Sequence, residues 1–335
     1  MNRARGKILV IRGGAIGDFI LTLPVLAALR RHFPQAHLEV LGYPHIAQLA
    51  VAGGLANEVH SIEARALAGF FARGGHLDES LAEYFAEFDL ILSFLYDPDG
   101  IFRENVARCS PAQFITGPHR PDDSLNRHAT EVFLKSLERL AVFDADPVPR
   151  LNVGRASRLP FGHDGQDGPA PTQPEAGEAG SDLDRRDACP TLALHPGSGS
   201  EKKNWPEDRW RELIRQLLEK TDLSFLLVGG EAEGDRLNRL LASFPAGRLQ
   251  AAQNLALAEL AKRLQRCVGF IGHDSGITHL AAALGLAGLV LWGETNETVW
   301  RPRSERMIVM RHAAGLTGIA VDSVICRLRE VISGR

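Results

Sequence analysis

The stretch that most constrains the fold of this chain is an apolar run that meets a helical pattern at three small or acidic residues. Residues 269–273 are mostly apolar or small, Asp274, Ser275 and Gly276 follow, and apolar residues recur at helical spacing through 277–285. This pattern predicts a buried strand that turns directly into a helix. The first amides of a helix lack partners and carry positive potential, so the junction suits a phosphate or diphosphate. A simpler interpretation is that Asp274 or Ser275 only caps the helix.

A similar strand–turn–helix unit opens the chain. Residues 7–11 predict a strand, a glycine-rich turn ends at Asp18, and a helix is predicted over 19–32. Because open α/β sheets bind ligands at the carboxyl ends of their strands, Asp18 is a candidate general base. The helix dipole alone would also favour a carboxylate there. Gly14 and Gly17 remove side-chain bulk around it, which favours the functional interpretation.

In the rest of the first half, the alternation of predicted strands and helices is less clear. Strands are predicted over 37–42 and 88–94, with helices and short links over 45–88 and a helix over 129–140. The segment 101–127 combines several arginines with prolines, which predicts loops on the cleft side. Arg120 is a candidate there for a phosphorylated or carboxylated acceptor, although surface arginines are common.

Residues 155–190 differ in composition from the remainder. They are rich in Gly, Pro, Asp and Glu, and bulky apolar residues are scarce after Phe161. Such a segment cannot bury enough apolar surface to order itself, which predicts a flexible linker or insertion. The predicted organisation is therefore an N-terminal domain (1–154), the linker (155–190), a C-terminal domain (191–318) and a closing helix (319–335).

The second half restarts with a predicted strand over 191–195 and a Gly/Ser loop over 196–206. Ser198 and Gly199 of that loop are candidates to hold a phosphate with their backbone amides, and Lys203 could supply charge. The loop lacks the P-loop spacing, which disfavours a P-loop NTPase.

Carboxylates and polar loops follow two later predicted strands. The strand 224–230 ends at Gly230 and is followed by Glu231 and Glu233, candidates to accept hydrogen bonds from a ribose, although acids also suit the first turn of a helix. The strand 289–293 leads to a polar loop in which Thr295 is a further binding candidate.

Composition excludes several classes of function. The net charge of −3 gives no basic field for nucleic acid, and no apolar run approaches the ~20 residues that span a bilayer. The four cysteines are widely spaced, which disfavours a metal centre or disulfide framework. With no signal-peptide pattern, we expect a cytoplasmic protein with reduced thiols.

Taken together, these motifs resemble the ADP-heptose:lipopolysaccharide heptosyltransferases, a family with the GT-B fold of two Rossmann-like domains facing a central cleft. The resemblance covers the chain except the linker. It depends on the order and spacing of five motifs, at 12–18 with Leu23-Pro24, 195–206, 228–230, 274–279, and 292–295 with Trp300-Arg301-Pro302. Glu294, where many members have proline, and the long linker depart from the family pattern and leave the subfamily open.

The resemblance implies roles for individual residues. Asp18 matches the catalytic base, Lys203 the basic residue at the donor diphosphate, and Asp274 the acid near the donor sugar. The other matches are the helix start that binds phosphate (Ser275 and Gly276), the helix histidine (His279, for which packing is an alternative) and the ribose-binding acid (Glu233, or else Glu231).

The function implied is inverting, metal-independent transfer of a heptose from ADP-heptose to a lipopolysaccharide-core or other glycan acceptor. No cofactor is expected beyond the nucleotide sugar, and we expect a monomer. A glycolipid acceptor is compatible with peripheral attachment to the inner leaflet, although no amphipathic basic helix supports it. Alternatives are a GT-B transferase or epimerase with a UDP- or GDP-sugar, and a non-catalytic nucleotide-sugar-binding protein. A Rossmann oxidoreductase is disfavoured because the first turn lacks the GxGxxG spacing.

Overall fold

The first domain is built on a five-stranded parallel sheet. The computed structural model describes residues 6–154, 189–245 and 247–333. The first sheet contains β1 (Lys7–Arg12), β2 (His37–Gly42), β3 (Glu58–Ser61), β4 (Leu90–Ser93) and β5 (Gln113–Thr116), in the order β3-β2-β1-β4-β5. Its helices are α1 (Ile16–His32), α2 (Pro44–Ala52), α3 (Glu79–Ala86), α4 (Ile101–Ala107) and α5 (Ala129–Leu134).

Alternate residues of β1 explain why its sequence is apolar throughout. Ile8 and Val10 belong to one buried cluster, whereas Leu9 and Ile11 belong to another on the opposite face of the sheet. A strand covered on both faces has no polar side, so its sequence shows a continuous apolar run.

The second domain is built on a six-stranded parallel sheet. Its strands are β6 (Thr191–Leu194), β7 (Ser224–Gly229), β8 (Leu249–Gln253), β9 (Gly269–His273), β10 (Gly288–Leu291) and β11 (Met307–Met310), in the order β11-β10-β9-β6-β7-β8. Its helices are α6 (Glu207–Lys220), α7 (Gly234–Ala242), α8 (Leu257–Leu264), α9 (Gly276–Ala283), α10 (Glu297–Trp300) and α11 (Val321–Ser333). The closing helix α11 packs against α6 and β10, so it completes this domain.

The two domains meet through α1 and α9, whose first turns touch. A single apolar cluster contains residues of both domains, including Phe19 of α1 and Leu280 of α9. Helix α1 is buried on nearly all sides because its own sheet covers one face and the second domain another. This contact brings the carboxyl ends of β1 and β9 to the same cleft.

The sequence-based prediction of two facing α/β domains is confirmed, but several elements differ. Helix α1 begins at Ile16, three residues earlier than predicted, and the helix predicted over 129–140 continues beyond α5 as a 3₁₀ helix at Lys135–Leu140. The prediction of loops over 101–127 is wrong, because that segment contains α4 and β5. Strands β3, β8 and β11 were also missed. These strands have four or five residues, and β3 and β8 carry polar residues that weaken the apolar signal.

The predicted linker lies almost wholly outside the described residues, so its limits stay a prediction. No helix in the described part of the chain is both long and apolar enough to span a bilayer. All four cysteines are free thiols.

Candidate active site

A cleft of about 830 Å³ lies between the two domains. It is bordered by the turn after β1, the loop after β6 and the start of α9, which lie at the carboxyl ends of parallel strands. Open α/β sheets bind ligands at this edge. Its lining includes eleven of the residues singled out from the sequence: Gly14, Gly17, Asp18, Arg120, Gly199, Lys203, Asp274, Ser275, Gly276, His279 and Thr295.

Asp18 caps its own helix and also faces the cleft. It is the third residue of α1, and its Oδ2 accepts a hydrogen bond from the amide of Ala15 at 3.1 Å. Its Oδ1 lies 3.8 Å from Nη2 of Arg12, and the side chain is 31% exposed. The capping and catalytic interpretations of this carboxylate are therefore geometrically compatible, because one oxygen caps the helix while the side chain remains partly accessible.

Arg12, at the end of β1, contacts Asp18 from the buried side. Its side chain is buried, and it donates to the backbone oxygens of His119 at 2.8 Å and Asp18 at 3.2 Å. The guanidinium also lies 4.6 Å from the ring centre of Phe133. Burial lowers the pKa of Arg12 to about 10, and Asp18 opposes this shift, so the group stays charged at neutral pH. This fixed cation lies beside the Asp18 carboxylate and helps to hold its position.

Two glycines near Asp18 are required by close packing. Gly14 has a φ of +99°, and a Cβ there would lie 3.0 Å from Oδ2 of Asp18. A Cβ on Gly17 would lie 3.3 Å from the ring of His279 and 3.6 Å from Cα of Gly276. Gly14 therefore makes room for the carboxylate, whereas Gly17 lets the second domain approach.

The opposite wall carries a charged pair. Nζ of Lys203 lies 2.6 Å from Oδ2 of Asp274, and only 9% of the Asp274 side chain is exposed compared with 41% for Lys203. An ammonium group has three donors, so Lys203 can hold Asp274 and still donate to an anion in the cleft.

The start of α9 has the predicted helix cap. The Ser275 hydroxyl accepts a hydrogen bond from the Thr278 amide at 3.3 Å. Gly276 serves a purpose that the sequence did not indicate. A Cβ there would lie 2.7 Å from Cβ of Ile16 and 3.0 Å from the amide nitrogen of Gly17, so glycine is needed where the domains touch.

Buried histidines fix the loop that carries Lys203. The Nε2 atom of His273 accepts from the Trp205 amide at 2.8 Å, and its Nδ1 donates to the backbone oxygen of Gly197 at 3.2 Å. Nδ1 of His195 donates to the backbone oxygen of Val228 at 2.8 Å. Burial lowers the pKa of His273 to about 3, so the ring is neutral and can use one nitrogen as an acceptor.

Polar contacts between the domains close the cleft at one end. The Trp300 indole donates to Oδ1 of Asp123 at 2.6 Å, and Arg120 lies over the Trp300 ring at 5.2 Å. Nε2 of His128 donates to the backbone oxygen of Arg301 at 2.9 Å. The N-terminal loop that carries Arg120 is therefore attached directly to the loop after β10.

Comparisons with known proteins agree with this architecture. The family model for glycosyltransferase family 9 (heptosyltransferase) matches residues 155–317. Lipopolysaccharide heptosyltransferase 2 of Salmonella typhimurium is 24% identical over 326 residues, which cover 92% of this chain and 89% of that protein. Lipopolysaccharide heptosyltransferase 1 of Pseudomonas aeruginosa is 36% identical over 108 residues, which cover 32% of this chain and less than a third (30%) of that protein.

This chain therefore matches glycosyltransferase family 9 over residues 155–317, and a lipopolysaccharide heptosyltransferase aligns with it over most of its length. A solved structure of the ADP-heptose LPS heptosyltransferase II of Escherichia coli has the same two-domain GT-B fold, with a TM-score of 0.75 at 18% identity, covering 98% of this chain and 99% of that one. The prediction of the family and of its fold is therefore confirmed.

Four residues predicted for the site do not line the cleft described above, namely Ser198, Gly230, Glu231 and Glu233. Ser198 is buried, and its hydroxyl lies within hydrogen-bond distance of the Ser200 backbone oxygen and of Oδ1 of Asn204 within its own loop. Glu233 accepts from the amide of Gly230 at 2.8 Å and packs against the turn at Gly197, whereas Glu231 is exposed. A role of Glu233 or Glu231 at the ribose stays a prediction.

Several residues that line the cleft were not predicted from the sequence, among them Arg12, Tyr43, Tyr96 and His119. Arg12 had a usable signal, since a charged residue that directly follows the apolar run of a buried strand needs a partner. The others lie in connections whose path the sequence does not define.

Proposed function

We propose that this family 9 glycosyltransferase transfers a heptose from ADP-heptose to a lipopolysaccharide-core or similar glycan acceptor. The observation that carries the proposal is that Asp18 of one domain and Lys203 with the start of α9 from the other line a single cleft. A proton acceptor and an anion-binding surface on opposite walls are what glycosyl transfer from a nucleotide diphosphate requires.

The donor diphosphate would lie against α9. The first amides of that helix have no partner within it, and the dipole favours an anion there. Lys203 would donate to the diphosphate while Asp274 keeps its ammonium in place. These groups would stabilise the departing ADP, so the transfer would need no divalent ion.

The acceptor hydroxyl would lie on the side of the first domain. Its oxygen would form a bond to the anomeric carbon as the bond from that carbon to the diphosphate oxygen breaks, and its proton would pass to Asp18. Attack opposite the leaving group inverts the anomeric configuration. Arg12 would keep Asp18 oriented.

The reaction also defines the expected setting of the protein. We propose that it acts as a monomer in the cytoplasm, with ADP-heptose as the donor and with no cofactor. A lipid-linked acceptor would bring it to the inner leaflet of the membrane.

The decisive experiment is Asp18→Asn. Asparagine can still accept the Ala15 amide, so the helix cap should survive while the base is lost. Turnover should fall by about 10²- to 10⁴-fold, and ADP affinity measured by calorimetry should stay unchanged.

Asp78→Asn is the matched control, because Asp78 also caps a helix, α3, by accepting from the amide of Leu81 but does not line the cleft. Full turnover in Asp18→Asn would rule out Asp18 as the base. If a panel of nucleotides stabilised the protein with UDP or GDP rather than ADP, the donor would be a different sugar nucleotide.

A further inference from the structure

Three metal-ligating side chains, His37, Glu39 and Glu58, come together on the first domain, away from the cleft, and a fourth, His60, lies beside the two carboxylates. His37 and Glu39 lie on β2, and Glu58 and His60 lie on the neighbouring β3. The strands are parallel, with Glu39 beside Glu58. Residues two apart on a strand point to the same face, so all four side chains share one face of the sheet.

Histidine and glutamate side chains alternate around this cluster. Nε2 of His37 lies 3.2 Å from Oε1 of Glu39 and 3.8 Å from Oε1 of Glu58. Nε2 of His60 lies 3.0 Å from Oε2 of Glu39 and 3.6 Å from Oε2 of Glu58. A tetrahedral Zn²⁺ with bonds of about 2.0–2.2 Å separates neighbouring ligand atoms by about 3.4 Å. The two spacings of His37, 3.2 and 3.8 Å, lie on both sides of this value, and one ligand atom each of His37, Glu39 and Glu58 lies within 4.8 Å of the others. His60 approaches the other oxygen of each carboxylate.

His60 lacks the hydrogen bond that its position would suggest. Its Nε2 atom is buried and has no hydrogen-bond partner among the described residues, despite lying 3.0 Å from Oε2 of Glu39. Two atoms that both point towards one metal ion lie close together without a hydrogen bond between them. The His60 nitrogen and the Glu39 oxygen have this arrangement.

The central carboxylate is held in place from behind. The Glu39 side chain is only 3% exposed, and its Oε2 accepts from the hydroxyl of Tyr84 at 2.9 Å. Hydrogen bonds to a ligating carboxylate orient it for metal binding. Lys7 lies 3.2 Å from Glu39 and is the competing cation, but it has a closer partner in Glu87 at 2.6 Å. If a metal ion bound Glu39, Lys7 would therefore still be paired with Glu87.

We propose that His37, Glu39, Glu58 and His60 bind a divalent metal ion of the zinc class. Two imidazole nitrogens with two carboxylates favour Zn²⁺ over Mg²⁺ or Ca²⁺, which prefer oxygen ligands. The site lies at the amino end of the sheet, near Lys7, whereas Arg12 at the other end of β1 lines the cleft. Five residues of strand separate the ends by about 16 Å. The ion would join the edge strand β3 to β2 and take no part in the transfer reaction.

The test is a titration of the chelator-treated full-length protein with Zn²⁺ by calorimetry, together with thermal melting. We expect one ion per chain and a melting temperature that rises with Zn²⁺ concentration, because the ion binds only the folded arrangement. His37→Gln with His60→Gln should weaken binding by at least about 100-fold. Glu58→Gln removes a largely exposed carboxylate and should weaken it by about 10-fold without disturbing the core.

His32→Gln is the matched control, because His32 also pairs with a carboxylate, Asp144 at 3.1 Å, but lies outside the cluster. It should bind Zn²⁺ as the unmodified protein does. Co²⁺ provides a second readout, since nitrogen and oxygen ligands lack the intense near-ultraviolet band of thiolates. The proposal is overturned if no stoichiometric ion binds, if Glu58→Gln and the double variant bind as the control does, or if Co²⁺ reports cysteine ligation.

Discussion

At the scale of single residues, the central feature is a carboxylate that is anchored by the backbone and by a buried cation. Asp18 accepts from the amide of Ala15, and its own backbone oxygen accepts from Arg12 and from the hydroxyl of Thr22. These contacts fix both the side chain and the first turn of α1. A carboxylate held in this way would lose little conformational freedom when a substrate binds beside it.

Arg12→Lys tests this positioning. Lysine keeps the charge but cannot donate to His119 and Asp18 together, since it lacks the planar fork of arginine. Turnover should fall on the order of 10- to 100-fold, with unchanged ADP affinity, because Lys203 and α9 lie on the opposite wall. Initial rates and calorimetry separate these effects. Arg108→Lys, at an arginine that donates to Gly75 outside the cleft, is the control and should retain full turnover.

At the scale of elements, the first turns of α1 and α9 combine two requirements. The amides at the start of α9 suit an anion, and the same turn must let α1 approach to contact distance. Gly276 satisfies the second requirement, since Ile16 and Gly17 occupy the space beside it. The interpretation that this glycine mainly admits the ligand was therefore incomplete.

Gly276→Ala should separate the helices. The added Cβ would lie 2.7 Å from Cβ of Ile16, which cannot move without shifting α1. We expect the free energy of unfolding to fall by about 1–3 kcal/mol, and ADP affinity to fall with it. Urea denaturation and calorimetry measure both.

Gly199→Ala is the comparison for that experiment, because a Cβ at this cleft position meets no atom within 4 Å. It should leave the free energy of unfolding unchanged. Equal stability of the two alanine variants would contradict the packing argument for Gly276.

At the scale of the whole molecule, neutral histidines lie where the domains meet. His279 of α9 packs against Gly17 of α1, and burial lowers its pKa to about 4. Burial also lowers the pKa of His128, whose ring reaches across to Arg301. The contact between the two domains, which includes these uncharged histidines, is therefore most stable at pH values above the pKa of a free imidazole.

Acidification should therefore destabilise the molecule. The unfolded chain takes up protons on these histidines near pH 6.5, whereas folded His279 does so only near pH 4. Stability is fully present above pH 6.5 and is lost as the pH falls towards 4, by about 1.4 kcal/mol per pH unit for each such histidine. Urea unfolding at pH 7.5 and pH 5 measures the difference. His279→Asn should reduce this difference in stability, whereas His76→Asn on the surface should not. Equal pH dependence in the unmodified protein and both variants would contradict this account.

The sequence predicted the elements whose patterns are set locally. Strands β1, β6 and β9 are apolar because both faces are covered, and the glycine turns that follow them carry their own signal. Asp18, Lys203 and Asp274 could be selected from these turns because strand ends form the ligand edge of a parallel sheet. Short edge strands such as β3 escaped prediction because four residues of mixed polarity resemble a loop.

Only the tertiary structure decided which of these residues meet. The pairing of Lys203 with Asp274, the support of Asp18 by Arg12 and the approach of Gly17 to Gly276 each join segments that the sequence treats separately. The cluster of His37, Glu39, Glu58 and His60 depends on the register of β2 and β3, which backbone pairing sets. Local sequence patterns reflect which faces of each strand and helix are buried. Distances between side chains on different elements depend on the packing of the complete chain.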